Sequence, residues 1–332
     1  MLDSGDASEV AKRYSLGDGA VLTGPVARGE QGEVWRLSTS RGIWAVKESF
    51  EEQSEAEAKV AADFQDAARA VGVPSPRLVR AVNGDVVVNV RGAPLRVYDW
   101  VDLLEPDVGL DPVAVGELLA SIHRVRAAAE DSSVDPWYTD PVGIQRWNEL
   151  VTALSVAGAP YAGTLADLRE QLVDLETLLE PSDPVQICHR DLWADNLRAT
   201  PNGGLCVIDW ENSGPADQSQ ELALVLFEFG GRDVDRVRAL YESYHLNGGP
   251  GRIDRRGHFS MVIAQLGHIA EMACQQWLEA TTADEQERSV RRFAEFASLP
   301  MTTGLIDVVW PRWRRVADPP PIWRRPELRS QT

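Results

Sequence analysis

The chain has 332 residues and a formal net charge of −18, because 51 acidic residues outnumber 33 lysines and arginines. A negative charge of this size argues against a protein that binds nucleic acid through its phosphates. Hydrophobic residues make up 44% of the chain and charged residues 25%, a composition that allows a sizeable core. The length favours two lobes over one compact unit.

The sequence gives no sign of export or membrane insertion. It has no run of 18 apolar residues, and its start, MLDSGDASEV, is neither basic nor apolar. The three cysteines, Cys188, Cys206 and Cys274, lack metal-ligand spacing, and their odd number is typical of reduced, buried thiols. We therefore expect a cytoplasmic protein without a membrane partner.

The first hundred residues predict a small sheet with one main helix. β-Branched and aromatic residues alternate over residues 20–46, which indicates two strands joined by a turn. Three- and four-residue spacing predicts a helix over residues 54–71. Apolar runs between residues 75 and 101, separated by Asn83-Gly84 and Gly92, predict a hairpin that returns to the first strands.

Helical patterns dominate the rest of the chain. The predicted helical regions are 112–180, 222–229, 234–244, 260–278 and 285–296. Two short apolar runs interrupt them, one before His189 and one ending at Asp209, and exposed chemistry is expected in the polar loop between these runs. The final residues, 310–332, contain six arginines and three tryptophans, a composition that predicts a docked tail.

The strongest chemical signal is the loop HRDLWADN, residues 189–196, together with Asp209 after the next strand. A loop carboxylate, an amide five residues later and a second carboxylate after a strand can converge on one point. Asp191 can then orient and deprotonate a hydroxyl, while Asn196 and Asp209 offer oxygen ligands to Mg²⁺. The alternative is that Asp191 and Asn196 only bond turn backbone.

The pattern H-R-D-x-x-x-x-N, followed by a strand and D-W-E, resembles the aminoglycoside phosphotransferase and choline kinase group, small-molecule kinases with the protein kinase fold. The resemblance covers about residues 20–230. It implies an α+β, bilobal fold with ATP and Mg²⁺ as cofactors. The implied divisions are a small antiparallel-sheet nucleotide-binding lobe with one main helix (1–98), a hinge (99–102), a larger, mostly helical lobe with the catalytic loop and acceptor site (103–309) and an Arg/Trp/Pro-rich tail (310–332).

The resemblance also implies a nucleotide site in the first lobe. Gly29 and Gly32 are candidates for a loop whose backbone N–H groups approach the phosphates, although the segment also suits an ordinary hairpin turn. Lys47 ends an apolar strand in a chain with only two other lysines, and it resembles the lysine that binds the α and β phosphates.

A helix glutamate is the expected partner of this lysine. Glu57 is our choice, because it shares a predicted helix face with Val60 and Phe64, and this face must pack against the sheet. Glu55 and Glu51 remain alternatives.

The predicted hinge region comprises Tyr98, Asp99, Trp100 and Val101. By resemblance, hinge backbone bonds the adenine, and Trp100 either lines the adenine slot or packs between the lobes as a buried aromatic.

Three residues outside the reacting groups are expected to support the site. His189 should stabilise the catalytic loop by hydrogen bonding, and Glu221 should brace it from a following helix. His123 is expected in the core or beside the site. Arg190 replaces the glycine that most small-molecule members carry before the aspartate.

The acceptor is predicted to be a small cation, such as an aminoglycoside antibiotic or an amino sugar. Residues 99–183 contain 17 acidic and four basic residues, and such a stretch either lines a cation-binding cleft or forms a solvated surface. The candidate acceptor-site residues are Trp193, Asp195, Glu211, Asp217 and Glu271.

Other functions remain open at this point. The acceptor could instead be another amino alcohol of the choline, fructosamine or homoserine type. A catalytically silent nucleotide-binding module is opposed by the intact set of Lys47, Asp191, Asn196 and Asp209, and a protein substrate by the lack of an A-P-E motif. The tail could serve an interaction partner.

Overall fold

The computed structural model describes residues 2–309, apart from 30–31, 51, 53, 128–132, 183–184 and 299–300. The predicted tail and Glu51 therefore lie outside the described residues.

The N-terminal part is a six-stranded sheet in which all described pairs are antiparallel. The strands run in the order β1-β2-β3-β6-β4, and β5 also pairs with β6. They are β1 (Val21–Arg28), β2 (Gly32–Thr39), β3 (Gly42–Ser49), β4 (Leu78–Val79), β5 (Val88–Val90) and β6 (Ala93–Asp99). The sheet and its returning hairpin confirm the prediction from sequence, but residues 20–46 contribute to three strands, β1, β2 and β3, where two were predicted.

A short helix, α1 (Ala7–Arg13), precedes the sheet and was not predicted. Val10 and Ala11 are buried in the same apolar cluster as the sheet residues. Tyr14 donates from its hydroxyl to the Leu95 carbonyl at 2.8 Å. These contacts fix α1 against the sheet.

Helix α2 (Glu55–Ala70) confirms the predicted helix, but of the predicted buried face Phe64 is buried while Glu57 and Val60 are not. Glu57 is exposed and Val60 is 48% exposed. Small residues form most of the buried face, because alanines let the helix approach its neighbours closely. The buried residues of α2 are Ala58, Ala61, Ala62, Phe64, Gln65 and Ala68.

The C-terminal part is mainly helical, as predicted. Its helices are α3 (Pro112–His123), α4 (Ile144–Ala157), α5 (Ala162–Glu176), α6 (Gln218–Gly230), α7 (Val234–Leu246), α8 (Ser260–Glu279), α9 (Ala283–Ser298) and α10 (Thr303–Val309). Most of these helices contribute to one large apolar cluster. The three cysteines are buried free thiols, which confirms that prediction.

Four short strands hold the catalytic segment in this helical part. They are β7 (Gln186–Cys188), β8 (Leu197–Ala199), β9 (Leu205–Val207) and β10 (Gly214–Ala216). Strand β7 pairs with β10, and β8 pairs with β9. The loop of residues 189–196 therefore lies between β7 and β8, and Asp209 follows β9.

The two parts meet directly at the catalytic segment. The Phe64 ring of α2 packs edge-on against Trp210 with centroids 5.5 Å apart, and Val207 N donates to the Pro74 carbonyl at 2.9 Å. After β6 the chain crosses to the helical part, where Leu104 N donates to the Ala199 carbonyl at 2.8 Å. This architecture confirms the predicted α+β fold with a sheet lobe and a helical lobe. Within the described part of the chain, none of the helices combines the length and apolar character needed to span a bilayer.

Candidate active site

The catalytic loop begins at His189, whose ring contacts the chain just before Asp209. Its Nε2 lies 3.0 Å from the Ile208 carbonyl oxygen. A carbonyl oxygen can only accept, so this nitrogen carries the proton. Burial lowers the pKa of His189 and favours the neutral ring. The ring therefore has the supporting role predicted from sequence.

Asp191 is held by two amide side chains. Its Oδ2 accepts from Asn196 Nδ2 at 2.9 Å and from Asn212 Nδ2 at 3.0 Å. Burial raises the pKa of Asp191, whereas these hydrogen bonds and nearby Lys47 act in the opposite direction. Both bonds fix one oxygen, so Oδ1 is the oxygen that can approach a hydroxyl.

Asn212 was missed by the sequence reasoning. It directly follows the D-W-E segment, and this proximity to the motif is the only signal that could have indicated it. Its backbone carbonyl also accepts from Arg190 Nε at 2.6 Å. Asn212 therefore contacts two consecutive residues of the catalytic loop.

Asn196 and Asp209, the predicted metal ligands, are brought together by the backbone. Ile208 N donates to the Asn196 carbonyl at 2.9 Å. The Asn196 amide nitrogen is used by Asp191, which makes Oδ1 its metal-binding atom. Asp209 has left-handed backbone with φ of 64°. An amide oxygen beside a partly buried carboxylate is a donor set that fits Mg²⁺.

Lys47 lies beside this pair, but its partner differs from the prediction. Its Nζ contacts Asp209 Oδ1 and lies 3.2 Å from Glu211 Oε2. Glu57, the predicted partner, is exposed on α2. The pairing of Lys47 with Glu57 is therefore wrong in this structure, because the helix turns its alanine-rich face inward and carries Glu57 outward.

Glu211 is buried under the sheet. Its Oε1 accepts from the Tyr98 hydroxyl at 2.7 Å and lies 3.5 Å from Arg96 Nη1. Burial alone would raise the pKa of Glu211. The nearby cations Lys47 and Arg96 nevertheless hold this pKa well below its usual value. Burial and the neighbouring Glu211 raise the pKa of Asp209. Glu211 is thus directed at the lysine and away from the acceptor role predicted for it.

Gly29 and Gly32 flank the turn between β1 and β2. Gly29 N donates to the Gly32 carbonyl at 2.9 Å. A Cβ on Gly32 would lie 2.1 Å from the Glu48 carbonyl oxygen, whereas a Cβ on Gly29 would meet nothing within 4 Å. Only Gly32 is therefore required by close packing, and a role of this turn over phosphates stays a prediction.

Of the predicted hinge residues, Tyr98 and Asp99 end β6, and Trp100 and Val101 follow it. Asp99 forms an ion pair with Arg77 at 2.9 Å, and Trp100 N donates to the Ile43 carbonyl at 3.2 Å. The Trp100 ring lies 5.5 Å from the Arg36 guanidinium. Val101 is half-buried. Tyr98 donates its hydroxyl to Glu211, and adenine binding by the backbone of these four residues stays a prediction.

Trp193, two residues after Asp191, is held in place by Gln265 of α8. Trp193 Nε1 donates to Gln265 Oε1 at 3.1 Å, and Gln265 Nε2 donates to the Arg190 carbonyl at 2.8 Å. The Arg190 guanidinium lies 4.3 Å from the Tyr138 ring centroid. These bonds hold Trp193 at a fixed place in the loop.

Two acids lie beside this loop. Asp195 is exposed, and Glu228 of α6 accepts from Ala194 N at 3.0 Å. Burial, and to a smaller extent the charge of Asp195, raises the pKa of Glu228. Through this bond to Ala194, Glu228 contacts the catalytic loop directly.

Two other predicted acceptor residues have structural contacts. Asp217 is buried and caps α6 by accepting from Ser219 N at 2.7 Å; this bond gives it a structural role, and an acceptor role for it stays a prediction. Glu271 accepts from Arg146 Nε at 2.6 Å and is partly neutralised by that pair.

Part of the acidic stretch of residues 99–183 has a structural explanation. Asp111 and Asp135 cap helical segments, accepting from Val113 N and Trp137 N respectively. The helix-capping arrangement favours acids at these positions. The stretch therefore gives less support to a cationic acceptor than its charge alone indicated.

Glu221 braces the catalytic loop, as predicted. Its Oε1 accepts from Arg190 N, and its Oε2 lies 2.7 Å from His123 Nε2. The other His123 nitrogen, Nδ1, lies 2.7 Å from the Tyr244 hydroxyl, which accepts from Gly251 N. The buried position predicted for His123 is confirmed.

Comparison with known proteins gives a family match over most of the chain. The model of the phosphotransferase enzyme family (APH) matches residues 23–255. A homoserine kinase of Methylocella silvestris is 24% identical over 248 residues, covering 72% of this chain and 75% of that protein. A homoserine kinase of Methylobacillus glycogenes is 24% identical over 247 residues, covering 70% and 73%.

Solved structures show the same fold. A spectinomycin phosphotransferase in complex with ADP and spectinomycin has a TM-score of 0.66 at 13% identity, covering 95% of this chain and 99% of that one. An aminoglycoside phosphotransferase of Alicyclobacillus acidocaldarius has a TM-score of 0.60 at 19% identity, covering 91% and 95%. A choline kinase of Streptococcus pneumoniae has a TM-score of 0.52 at 16% identity, covering 88% and 98%.

Proposed function

The chain belongs to the phosphotransferase enzyme family and is a small-molecule kinase with a hydroxyl acceptor, and from this we propose that it transfers the γ-phosphate of ATP, in the presence of Mg²⁺, to a small cationic alcohol. The observation that carries the proposal is the convergence of Lys47, Asp209, Asn196 and Asp191 at the junction of the lobes. The sheet lobe supplies Lys47, and the helical lobe supplies the other three residues.

Each side chain has a limited task, because phosphoryl transfer depends mainly on positioning and charge neutralisation. Lys47 binds the α and β phosphates as a point charge. Asn196 Oδ1 and the Asp209 carboxylate hold Mg²⁺, which supplies neutralisation of phosphate charge when bound. The turn that includes Gly29 and Gly32 covers the phosphates with backbone N–H groups.

Asp191 aligns the acceptor hydroxyl. The hydroxyl oxygen forms a bond to the γ-phosphorus, the bond from this phosphorus to the β–γ bridging oxygen breaks, and ADP leaves with that oxygen. The hydroxyl proton passes to Asp191, whose Oδ1 is directed to this task by the two amides on Oδ2. The raised pKa of Asp191 makes it a better proton acceptor than an ordinary aspartate.

The acids next to the loop support a cationic acceptor. Glu228 is fixed to the loop through Ala194 N, and Asp195 adds an exposed carboxylate one residue further on. Trp193 offers an aromatic face in the same segment, and aromatic faces attract cations. These three residues, with Glu271, are the proposed acceptor-binding groups.

A panel of acceptors tests the proposal. Acceptor-dependent ADP release should be measured with aminoglycosides, amino sugars and amino alcohols, with ATP and with GTP. We expect at least one cationic alcohol to be phosphorylated, with an acceptor KM that rises with ionic strength. Glu228→Gln should raise that KM, while exposed Glu117→Gln on α3 leaves it unchanged. A substrate found only among neutral alcohols would contradict the proposed acceptor class.

A second candidate acceptor is homoserine, because two curated relatives are homoserine kinases. Homoserine carries an ammonium and a carboxylate, so its binding requires a cation as well as an acid. The acceptor panel should therefore include homoserine and a homoserine ester, which lacks the negative charge. A site for homoserine should prefer the free acid, whereas a site for a cationic alcohol should prefer the ester. Activity on homoserine alone would favour the second candidate.

A further inference from the structure

Three N-terminal side chains converge on one carboxylate that comes from the helical lobe. Lys47 and Arg96 are directly opposite each other on β3 and β6, and Tyr98 lies two residues after Arg96. Side chains at such positions share one face of the sheet. Glu211, just after β9, reaches this face and contacts all three.

Glu211 is necessary for this arrangement on electrostatic grounds. Cations placed directly opposite each other on a sheet repel, and burial of each is costly without a counter-charge. The side chains of Lys47, Arg96 and Glu211 are only 18%, 8% and 4% exposed. Glu211 supplies the counter-charge to both cations, and the Tyr98 hydroxyl satisfies the same oxygen that faces Arg96.

Two carboxylates contact Lys47, and their surroundings differ. Asp209 lies beside Asn196 in the proposed metal site, so a bound metal competes with Lys47 for its oxygens. Glu211 is held on its other side by the sheet residues Tyr98 and Arg96. Glu211 can therefore keep its contact with Lys47 while Asp209 engages the metal.

We propose that Glu211 is the positioning residue for Lys47, in place of an acid on helix α2. The inference deepens the proposed function and rests on it, since it assigns how the phosphate-binding lysine is held. Because Glu211 belongs to the segment that also carries Asp209, the lysine is oriented by the lobe that performs the chemistry. Nucleotide binding is thereby linked to the correct approach of the two lobes.

Glu211→Gln tests the proposal. The glutamine amide can still accept from Tyr98, but it places an N–H donor against the Lys47 ammonium, so the lysine loses its fixed position. We expect the ATP Kd and the ATP KM to rise about tenfold or more, with little change in acceptor KM. Glu57→Gln and the exposed control Glu117→Gln should leave all three values within about twofold. An ATP Kd unchanged in Glu211→Gln, or raised equally in Glu57→Gln, would overturn the proposal.

The double variant Lys47→Met/Glu211→Gln separates this proposal from the proposed function. If Glu211 acts through Lys47, the double variant should bind ATP no more weakly than Lys47→Met alone. Additive losses would overturn the positioning role. Normal ATP binding by Lys47→Met would instead contradict the proposed role of the lysine itself, whereas the acceptor panel tests the proposed function separately.

ATP binding without Mg²⁺ distinguishes a positioning role of Glu211 from a metal-binding role. ATP affinity should be measured with and without Mg²⁺, and the thermal unfolding midpoint should be recorded for each variant. A positioning role predicts weaker ATP binding in both conditions, whereas a defect seen only with Mg²⁺ would overturn it. Tyr98→Phe removes one bond to Glu211 and should weaken ATP binding by a smaller amount than Glu211→Gln does. This variant replaces Glu211→Gln in the test if Glu211→Gln does not fold. Unchanged ATP affinity in folded Tyr98→Phe would then overturn the proposal.

Discussion

His123 Nε2 lies 2.7 Å from Glu221 Oε2, and this buried pair joins α3 to α6 beneath the catalytic loop. The pKa of Glu221 is lowered, because its bonds to His123 and to the loop outweigh burial. A charged Glu221 can only accept, so His123 Nε2 carries a proton and donates it to Glu221. Asp191 follows the residue whose N–H is bound by Glu221, and its position depends on this pair.

Replacing Glu221 with alanine should destabilise the fold and reduce turnover. The change leaves the His123 N–H and the Arg190 N–H buried without their acceptor, and removing one partner of such a pair costs about 3 kcal/mol or more. Urea unfolding measures the loss of free energy, and Glu242→Ala, at an exposed site on α7, is the control. A loss below about 0.5 kcal/mol would contradict the role of Glu221 as a brace.

Asn212→Ala should reduce kcat by about tenfold or more, because a hydrogen bond to a charged group contributes about 1.5–3 kcal/mol. Asp191 Oδ2 would keep only its bond from Asn196 and would turn more freely. The ATP KM should remain near its original value, since Asn212 contacts the catalytic loop. Asn202→Ala, in an exposed turn, is the control, and equal kcat values for the two variants would show that Asn212 does not hold Asp191.

Gly32→Ala and Gly29→Ala form a matched pair. The new methyl at position 32 would collide with the Glu48 carbonyl oxygen, whereas the methyl at position 29 enters open space. Gly32→Ala should lower the free energy of unfolding by about 1–3 kcal/mol, and Gly29→Ala should change it by less than about 0.5 kcal/mol. Thermal or urea unfolding of both variants measures the difference; similar losses would contradict the packing argument.

The acid stability of the protein should depend on His245. Its Nδ1 lies 2.9 Å from Arg252 Nη1, which can only donate, so protonation would break this bond and place two cations together. Burial and Arg252 lower the pKa of His245 to about 4. The unfolded chain has a value of about 6.5 and binds the proton first, so the stabilising contribution of neutral His245 is complete above about pH 6.5 and decreases towards pH 4.

His245→Gln should remove this contribution. As the pH falls from about 6.5 to 4, the free energy of unfolding should decrease more for the original protein than for the variant. Urea unfolding at a series of pH values measures it. A difference that is constant over this interval would contradict the assigned pKa.

The sequence predicted the fold and the catalytic segment well, because both depend on local patterns. Alternating strands, the helix over residues 54–71 and the spacing of Asp191, Asn196 and Asp209 are all short-range features. The order of the strands and the meeting of the lobes at Trp210 depend on packing between distant segments, which spacing alone does not contain.

The partner of Lys47 was predicted wrongly for a physical reason. In the helical pattern, Phe64 can belong to either of two adjacent buried faces. The prediction takes the face with the larger apolar side chains, which contains Val60 and Glu57. The structure buries the alanines on one side of Phe64, which allows a closer approach than a face containing Val60. The resulting rotation exposes Glu57, and the counter-charge comes instead from Glu211, which lies more than 150 residues away in the chain.

In the proposed reaction Asp191 takes the proton of the acceptor hydroxyl, and Asp191→Asn removes this ability. Asparagine keeps the shape of the side chain and can still accept from Asn196 and Asn212, but it cannot take up a proton. With an acceptor identified from the panel, acceptor-dependent ADP release should fall about 10³-fold while ATP affinity stays within about threefold. The exposed Asp235→Asn should match the original protein. Turnover by Asp191→Asn within about tenfold of the original would contradict the account.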